Sequence, residues 1–413
     1  MKALAVVGAA VLLAACQQSP ASESTKGPGQ TASPSPVATA GESPAPGPRP
    51  RELTVPQRYA GAHADFDRGW LAWKSDAVSY GSNHSSVWVS KLGWDRPRLV
   101  RDFPKGDLGA GVTISYPYVA WVQYRETGNT TGEWDIHVYD VEKRRTRRVA
   151  TWDRAGAGKN QPLPLPYLDP FSPVLAWYQI DPGPDGKELC VHIRDLLTRE
   201  ERTEGCTSTL SDFPRFARVR DGFVSYLVNI GPGGQQGPVS VPRSPEYPEL
   251  AEEFESGSLS GWDRYARAAE ADSRGVAWIG ESTEYNGGAS VYYWEPASGV
   301  ASQATRTSRF PAAQVVLTED AVVWSEPEQV NDVLAVRRSL MGCKPAVARV
   351  AARWFTERRY EERYAQSISL LGSSENHVLV GVRRSMQKPP YALPFTFAVF
   401  ELPGLPDTCE APA

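Results

Sequence analysis

The hydrophobic pattern of the chain is dominated by one short motif, a small apolar pair followed by an aromatic residue, as in YVAW. Copies of this motif end at Trp73, Trp121, Trp177, Tyr226, Trp278 and Trp324, and a degraded copy ends at Val380. Successive copies are separated by 48, 56, 49, 52, 46 and 56 residues. A recurrence at this spacing is typical of proteins built from structural repeats.

Each repeat contains several short runs with the signature of β-strands. In the second repeat the motif is followed by a polar loop, the run Asp135–Asp140, a charged turn and the run Arg147–Trp152. Such runs alternate or are rich in β-branched and aromatic residues, and turn residues bound them. Together with the run before each motif, they predict four antiparallel strands per repeat and seven repeats between residues 52 and 408.

Seven four-stranded repeats predict an all-β protein with the β-propeller fold. A four-stranded sheet cannot bury both faces alone, so the recurring aromatic residue is expected to pack between neighbouring blades. In the fourth repeat Pro245–Tyr265 replaces a clean third and fourth strand, and six or eight blades therefore remain alternatives. The last repeat lacks a fourth strand, so Arg51–Tyr59 is expected to complete blade seven and close the ring.

The blade pattern resembles that of the TolB-type and related WD-repeat-like propellers of bacterial envelope proteins. The resemblance rests on a turn, an apolar pair with an aromatic residue, a loop and then I-x-V-x-D, and Tyr116–Trp152 matches it best. It covers most of residues 52–408. The resemblance implies the fold and specifies no activity.

The first fifty residues differ in composition from the rest. Residues 1–15 have one lysine and an apolar segment too short to span a bilayer, which is typical of a signal peptide. LAAC, ending at Cys16, resembles the lipobox of bacterial lipoproteins, which implies cleavage before Cys16 and a lipid on its thiol. The alternative is a secretory signal with a chance cysteine. Residues 16–50, with eight prolines, predict a disordered tether, and residues 51–413 are assigned to the propeller.

Four cysteines remain in the propeller, and in a secreted chain they predict two disulfides with three possible connectivities. The strand layout selects one of these. Cys190 and Cys206 fall in the third and fourth strands of one hairpin, which predicts a cross-strand bond. Cys343 falls in a turn of blade six, and Cys409 follows the last strand on the same side of the ring, so these two are expected to pair.

Composition and motifs exclude several functions. A net charge of −4 and a pI of about 5.9 give no basic field for nucleic acid. His137 and His192 occupy equivalent third-strand positions that aromatic residues fill in other repeats, and we interpret them as packing residues rather than metal ligands. There is no G-x-S-x-G nucleophile motif. We therefore expect a monomer with no catalytic residue, no cofactor and no metal.

The charged residues are expected to divide between the two faces of the ring. The loops between second and third strands should share one face, and we interpret their acidic and aromatic residues as a partner-binding surface: Glu126, Glu133, Trp134, Asp181, Asp185, Glu281, Glu284, Tyr285, Glu326 and Asp332. The turns between third and fourth strands should share the other face, and they include Lys143, Arg144, Arg145, Arg147 and Arg148. That second face is expected to be basic and to turn toward an anionic membrane. The alternative is solubilising charge distributed by chance.

These features predict a lipoprotein on the extracytoplasmic face of the cell membrane. We expect a non-catalytic scaffold that binds another envelope or secreted protein, with cell-wall glycan as an alternative ligand. The competing hypothesis is an enzyme acting on cell-wall glycan, an ester or a lactone at the axial channel. Such an enzyme would need several carboxylates or histidines to converge there, and the sequence pattern does not show that convergence.

Overall fold

The computed structural model describes a set of ranges within the second of two compact units, Pro46–Ala413. These ranges are 51–55, 63–79, 82–94, 96–104, 106–127, 130–152, 164–183, 186–207, 215–230, 239–250, 252, 265–281, 289–304, 314–326, 332–343, 346–348, 364–386, 395–402 and 404–409. No helix in these ranges is long and apolar enough to cross a membrane.

The fold is an all-β propeller of seven blades. Strand β1 (Arg51–Val55) opens the described chain. Blade one follows with β2 (His63–Asp67), β3 (Trp70–Ser79), β4 (Ser82–Lys91) and β5 (Arg98–Asp102). Blade two has β6 (Asp107–Ser115), β7 (Tyr118–Thr127), β8 (Thr130–Asp140) and β9 (Arg145–Trp152). Blade three has β10 (Tyr167–Leu168), β11 (Val174–Gly183), β12 (Gly186–Asp195) and β13 (Glu201–Thr207).

The second half of the ring repeats this order with one departure. Blade four has β14 (Arg215–Arg220), β15 (Phe223–Ile230) and β16 (Val239–Arg243). Blade five has β17 (Tyr265–Asp272), β18 (Gly275–Glu281), β19 (Ala289–Glu295) and β20 (Val300–Gln303). Blade six has β21 (Gln314–Leu317), β22 (Ala321–Glu326), β23 (Asp332–Arg337) and β24 (Ala346–Ala348). Blade seven has β25 (Tyr364–Ser374), β26 (His377–Met386) and β27 (Phe395–Glu401).

Each blade packs against the next through a separate hydrophobic cluster, and seven such clusters surround the axis. The recurring residue of each repeat lies in the cluster shared with the preceding blade. Trp73, for example, packs with Phe397 of blade seven, and Trp324 packs with Ile279 of blade five. The predicted role of the motif in packing between blades is therefore confirmed.

Blade seven is completed by the N-terminal strand, as predicted. β1 pairs antiparallel with β27, from Arg51 opposite Val399 to Val55 opposite Phe395. The outer edge that β27 would otherwise expose is covered by this pairing, and an exposed edge invites association with other chains. Because β27 ends next to Arg51, the chain enters the propeller on the side where β27 ends.

Blade four is irregular, but the irregularity is smaller than the sequence suggested. Its third strand is present as β16, just before the segment that we expected to replace it. After β16 the chain contributes Tyr247 and Leu250 to the cluster between blades four and five. A single parallel pair, Ser240 with Tyr265, links β16 to the first strand of blade five. These side chains thus contribute to the packing between blades four and five.

The two predicted disulfides are both present. Cys190 on β12 is bonded to Cys206 on β13, and Cys343 is bonded to Cys409 beyond β27. The second bond joins the end of the described chain to blade six.

The antiparallel order within the blades defines two faces. First strands lead into second strands, and third strands lead into fourth strands, on one side, which we call the turn face; residues 68–69 and 141–144 lie there. Second strands lead into third strands on the other side, which we call the loop face; residues 127–130 lie there. Since β27 is a third strand, its end and Arg51 lie on the turn face.

Candidate functional site

Strand pairing puts the predicted partner-binding residues at the loop face wherever the chain is described. The backbones of four of them lie at the loop-face ends of strands: Glu126, Glu281, Glu326 and Asp332. Glu326 and Asp332 are direct partners at the end of one hairpin. Asp185, Glu284 and Tyr285 lie outside the described residues.

Glu133 and Trp134 line a cavity of about 390 Å³ in blade two, within the range of roughly 300–1,000 Å³ that is common for small-molecule sites. Trp134 is only 2 % exposed and belongs to the cluster between blades two and three. Glu133 is exposed, and it has no ion pair within the described part of the chain. Of these two predicted partner-binding residues, only Glu133 is therefore accessible to solvent.

The other charged side chains around this cavity are already paired. Arg125 Nε donates to Asp107 Oδ1 at 3.0 Å, and Gln123 Nε2 donates to Asp107 Oδ2 at 2.8 Å. Arg148 Nη1 lies 3.5 Å from Asp135 Oδ1. Arg148 is thus a residue of strand β9 facing the cavity, and our assignment of it to a turn on the opposite face was wrong.

Asp181 is engaged within blade three. The Nε2 atom of His192 lies 2.7 Å from Asp181 Oδ2, and its Nδ1 atom lies 2.9 Å from Glu201 Oε1. The imidazole also stacks on Trp177 with a centroid distance of 5.2 Å. His137 stacks in the same way on the recurring tryptophan of its own blade. Both histidines therefore pack across adjacent strands of one blade.

The turn face carries charges of both signs, so the expectation of a basic face is wrong. Lys143, Arg144 and Arg145 are exposed there as predicted. Turns between first and second strands share this face, however. They expose acidic residues that we had not assigned to either face from the sequence: Asp221, Glu319, Asp320 and Glu375. The mixture removes the argument that charge turns this face toward an anionic membrane.

The sequence reading missed a polar cluster at the propeller axis. At the end of each inner strand, just before the turn, stands one buried polar residue: Asp67, Ser115, Asp169, Arg220, Asp272, Thr318 and Ser374. We call this ring the axial floor. Several members bond between blades. Asp67 accepts from the Tyr116 N–H at 2.8 Å and from Ser374 Oγ at 2.9 Å, and Asp169 accepts from the Asp221 and Gly222 N–H groups.

Arg220 closes the centre of the axial floor. Its Nη1 atom donates to Glu270 Oε1 at 3.2 Å and to Ser373 Oγ at 3.3 Å, so it joins blade four to blades five and seven. Arg218 Nη1 donates to the other oxygen of Glu270 at 2.9 Å. Nearby, Arg338 donates to both oxygens of Asp272, at 2.7 and 2.6 Å.

A second polar layer lies two residues earlier in each inner strand, toward the loop face, and its residue is polar in five of the seven blades. In blade one this position is Asp65, whose oxygens accept from Thr113 Oγ1 at 2.7 Å and from the N–H groups of Ile114 at 3.0 Å and Phe66 at 2.8 Å. Burial is the largest influence on this carboxyl and, with the nearby charge of Asp67, raises its pKa to about 6, although the three hydrogen bonds oppose the change. In blade three the position is Tyr167, whose pKa is raised by burial and by the charge of Glu270.

The inner strands are distorted next to this second layer. β6, β14, β17 and β25 each have a register shift beside it, at residues 110–113, 215–218, 266–268 and 370–372. Such bulges redirect side chains and are frequent beside functional sites. No sequence period reveals them, because a bulge changes neither the residue types nor the spacing of the recurring motif.

The described residues offer little for a metal ion. One group of acidic and cysteine side chains, Glu188 with Cys190 and Cys206, is close enough to hold one. Both cysteines are disulfide-bonded, and it is the thiolate form that binds a metal. This group is therefore structural.

Comparison with known proteins connects the chain to others by fold alone. No protein-family model and no curated protein matches the sequence. The polysaccharide lyase Uly1 is similar in structure with a TM-score of 0.54 and 8 % identity, covering 83 % of this chain and 90 % of the lyase. A prolyl endopeptidase is similar with a TM-score of 0.51 and 9 % identity over 83 % of this chain. The chain spans 50 % of that endopeptidase's length.

TolB from Acinetobacter baumannii also has a similar structure, at a TM-score of 0.38 and 14 % identity, covering 65 % of this chain and 61 % of TolB. At that score the similarity does not favour TolB over other propellers. The resemblance to TolB-type proteins therefore holds at the level of the propeller fold, which hosts both catalytic and non-catalytic proteins.

Proposed function

We propose that the chain is a non-catalytic binding scaffold, anchored on the extracytoplasmic face of the cell membrane, whose loop face captures another envelope or secreted protein. The observation that supports this best is the pairing of the axial carboxylates. Glu270 is held by Arg218 and Arg220, and Asp272 is held at both oxygens by Arg338. A carboxylate fixed in this way is a poor general base, because it must break its pairs to take a proton.

An enzyme at the axial channel is the competing hypothesis, and Asp65 is the residue that favours it, since a raised pKa often marks an acid–base catalyst. The surroundings of Asp65 argue against a catalytic role for this residue. Its carboxylate is turned into the protein, where Thr113 and two backbone N–H groups occupy it. The bonds from Thr113 and Ile114 give Asp65 a structural role in joining blade one to blade two.

Two features of the cysteines support the proposed location. Four of the five cysteines form disulfides, which persist in oxidising compartments. The fifth, Cys16, ends the LAAC sequence and lies outside the described residues. A multiply acylated Cys16 would hold the chain more firmly than the single acyl chain whose membrane binding is marginal.

The proposed contact surface is centred on Glu133, because it is exposed, lies on the loop face and borders the blade-two cavity. A protein partner would bring basic or hydrogen-bonding groups to this carboxylate. Glycan is the alternative occupant, since hydroxyl groups could also bond to the carboxylates and the amide of the cavity.

Proximity labelling in intact cells tests the proposal, with a labelling enzyme fused to the C-terminus of the full chain. We expect a reproducible set of envelope proteins for the wild type and its loss on Glu133→Lys. Glu200→Lys is the matched control, because Glu200 is also exposed but lies on the turn face. Cys16→Ser should move the chain out of the membrane fraction.

Two results would contradict the proposal. One is equal labelling by both charge-reversal variants, which would remove the loop face as the contact surface. The other is unchanged membrane retention of Cys16→Ser, together with an unmodified Cys16 thiol in the wild type. If Glu133→Lys loses binding to isolated cell-wall glycan while its protein labelling is unaffected, the surface is instead assigned to glycan.

A further inference from the structure

The second polar layer at the axis brings one residue from every blade to the same level. Its members are Asp65, Thr113, Tyr167, Arg218, Glu270, Val316 and Gly372. Three of them, Asp65, Tyr167 and Arg218, keep part of their surface accessible, while the axial floor beneath them is buried. The axis is therefore accessible at this level and closed below it by Arg220.

Arg218 is held in a fixed position with part of its guanidinium uncovered. Its Nη1 atom donates to Glu270 Oε2 at 2.9 Å and lies 3.4 Å from the carbonyl oxygen of Val315. The guanidinium also lies over the Tyr167 ring, 5.4 Å from its centroid. The side chain is nevertheless 25 % exposed, and its Nε and Nη2 atoms make no hydrogen bond within the described residues.

Two further guanidiniums lie close to this arginine and share carboxylate partners with it or with each other. Three guanidiniums, those of Arg218, Arg220 and Arg338, face two carboxylates, those of Glu270 and Asp272. The Nε and Nη2 atoms of Arg220 and the Nε atom of Arg338 are buried without a hydrogen-bond partner. Because Glu270 is shared between Arg218 and Arg220, Arg218 keeps donors that a bound anion would satisfy.

The carboxyl group of Asp65, at the same level, does not take up these donors. Asp65 directs its oxygens to Thr113, Ile114 and Phe66, and no ion pair joins it to an arginine in the described part of the chain. Gly372, at the same level in blade seven, lies so close that an added Cβ would stand 2.6 Å from Asp65 Oδ1. The side of the layer next to Asp65 is thus filled, and the accessible part lies at Arg218 and Tyr167.

We propose that this position is a binding site for a carboxylate group of a ligand that enters the axis from the loop face. The free edge of the Arg218 guanidinium matches a carboxylate with two parallel donors, which is the pairing that arginine makes best. The Tyr167 ring lies against the same guanidinium, and its partly exposed side chain brings a hydroxyl donor to this level of the axis. The site goes beyond the proposed partner surface and does not depend on it.

Titration of the full chain with two small probes tests the site. N-Acetylglycine carries a carboxylate, and N-acetylglycinamide is nearly the same molecule without the charge. We expect saturable binding of N-acetylglycine, followed by calorimetry or ligand-observed NMR, with a Kd on the order of 1 mM. The amide should bind at least about tenfold more weakly, because hydrogen bonds to charged groups are the strong ones.

Variants assign the binding to the axis. Arg218→Gln should weaken N-acetylglycine binding about tenfold or more, while Arg274→Gln, which removes an arginine paired to Asp320 on the turn face, should leave it unchanged. Tyr167→Phe keeps the ring beneath Arg218 and should weaken binding several-fold, which covers the case in which Arg218→Gln does not fold. Equal binding of both probes, no binding of either, or full affinity in Arg218→Gln or Tyr167→Phe would overturn the proposal. Binding of inorganic phosphate without binding of N-acetylglycine would overturn the carboxylate assignment.

Discussion

Replacing Asp65 by asparagine should change how the stability of the propeller depends on pH. Burial raises the pKa of this carboxyl from 3.8 to about 6, with the charge of Asp67 adding to the effect and the bonds from Thr113, Ile114 and Phe66 opposing it. A carboxyl whose pKa is higher in the folded state binds more protons when folded. The folded state is therefore favoured in acid and loses that advantage as the pH rises.

The size of the effect follows from the difference between the two pKa values. A change from 3.8 to about 6 is roughly 2 pH units, worth about 3 kcal/mol of unfolding free energy at 1.36 kcal/mol per unit. This contribution is fully present below pH 3.8 and lost above pH 6. Between pH 4 and pH 7.5 the wild type should lose about 2 kcal/mol from this group alone. Asp65→Asn has no proton to lose, so its loss over the same interval should be smaller by that amount.

Urea unfolding at pH 4 and pH 7.5 measures this difference. The variant need not be more stable in absolute terms, because an asparagine cannot accept all three hydrogen bonds; the change between the two pH values is the diagnostic quantity. Asp140→Asn is a control of opposite sign. Burial tends to raise the pKa of Asp140, but donation from Lys143 and from the Glu142 N–H outweighs it and lowers the pKa. Parallel pH profiles for the wild type and Asp65→Asn would refute the reasoning.

Three further perturbations test the ring. Arg220→Met leaves the buried carboxylate of Glu270 with one partner fewer, so the free energy of unfolding measured in urea should fall by about 3–5 kcal/mol. A loss below about 1 kcal/mol would mean that the pair of Arg220 with Glu270 is not important for stability. Removing the bond between Cys343 and Cys409 by two alanines should cost about 4 kcal/mol from loop entropy over a separation of 66 residues, and an unchanged thermal midpoint would contradict this. Deleting residues 1–55 removes β1 and should cause self-association in light scattering, whereas a stable monomer would show that closure by β1 is dispensable.

The features that repeat along the chain were predictable from the sequence. The aromatic residue of each repeat must be buried between blades, so its spacing directly reports the blade period. Disulfide pairing followed from the same layout, because strand positions limit which cysteines can meet. Even the closure by β1 was predictable, since blade seven lacked one strand and the segment before blade one had no other partner.

The axial cluster was not predictable in the same way. Asp67 and Asp272 each precede a turn, and an aspartate in that place is usually a turn residue. Their convergence depends on contacts between distant parts of the chain. Arg220 and Ser373 are 153 residues apart, and Ser374 and Asp67 are 307 apart. A visible signal exists in hindsight: all seven repeats carry a polar or charged residue at this one position.

The two proposed sites have a common consequence for how the molecule could work. Arg51 lies on the turn face, so any anchor N-terminal to it reaches the ring from that side. Glu133 lies on the opposite side, the loop face. The axis is accessible from that side too, because the axial floor closes the centre nearer the turns. A ligand carboxylate at Arg218 and a partner at Glu133 would then approach from the same direction, away from the point where the chain enters. The closed axial floor makes this direction a property of the fold, since a ligand approaching from the turn face would first have to displace Arg220 from Glu270.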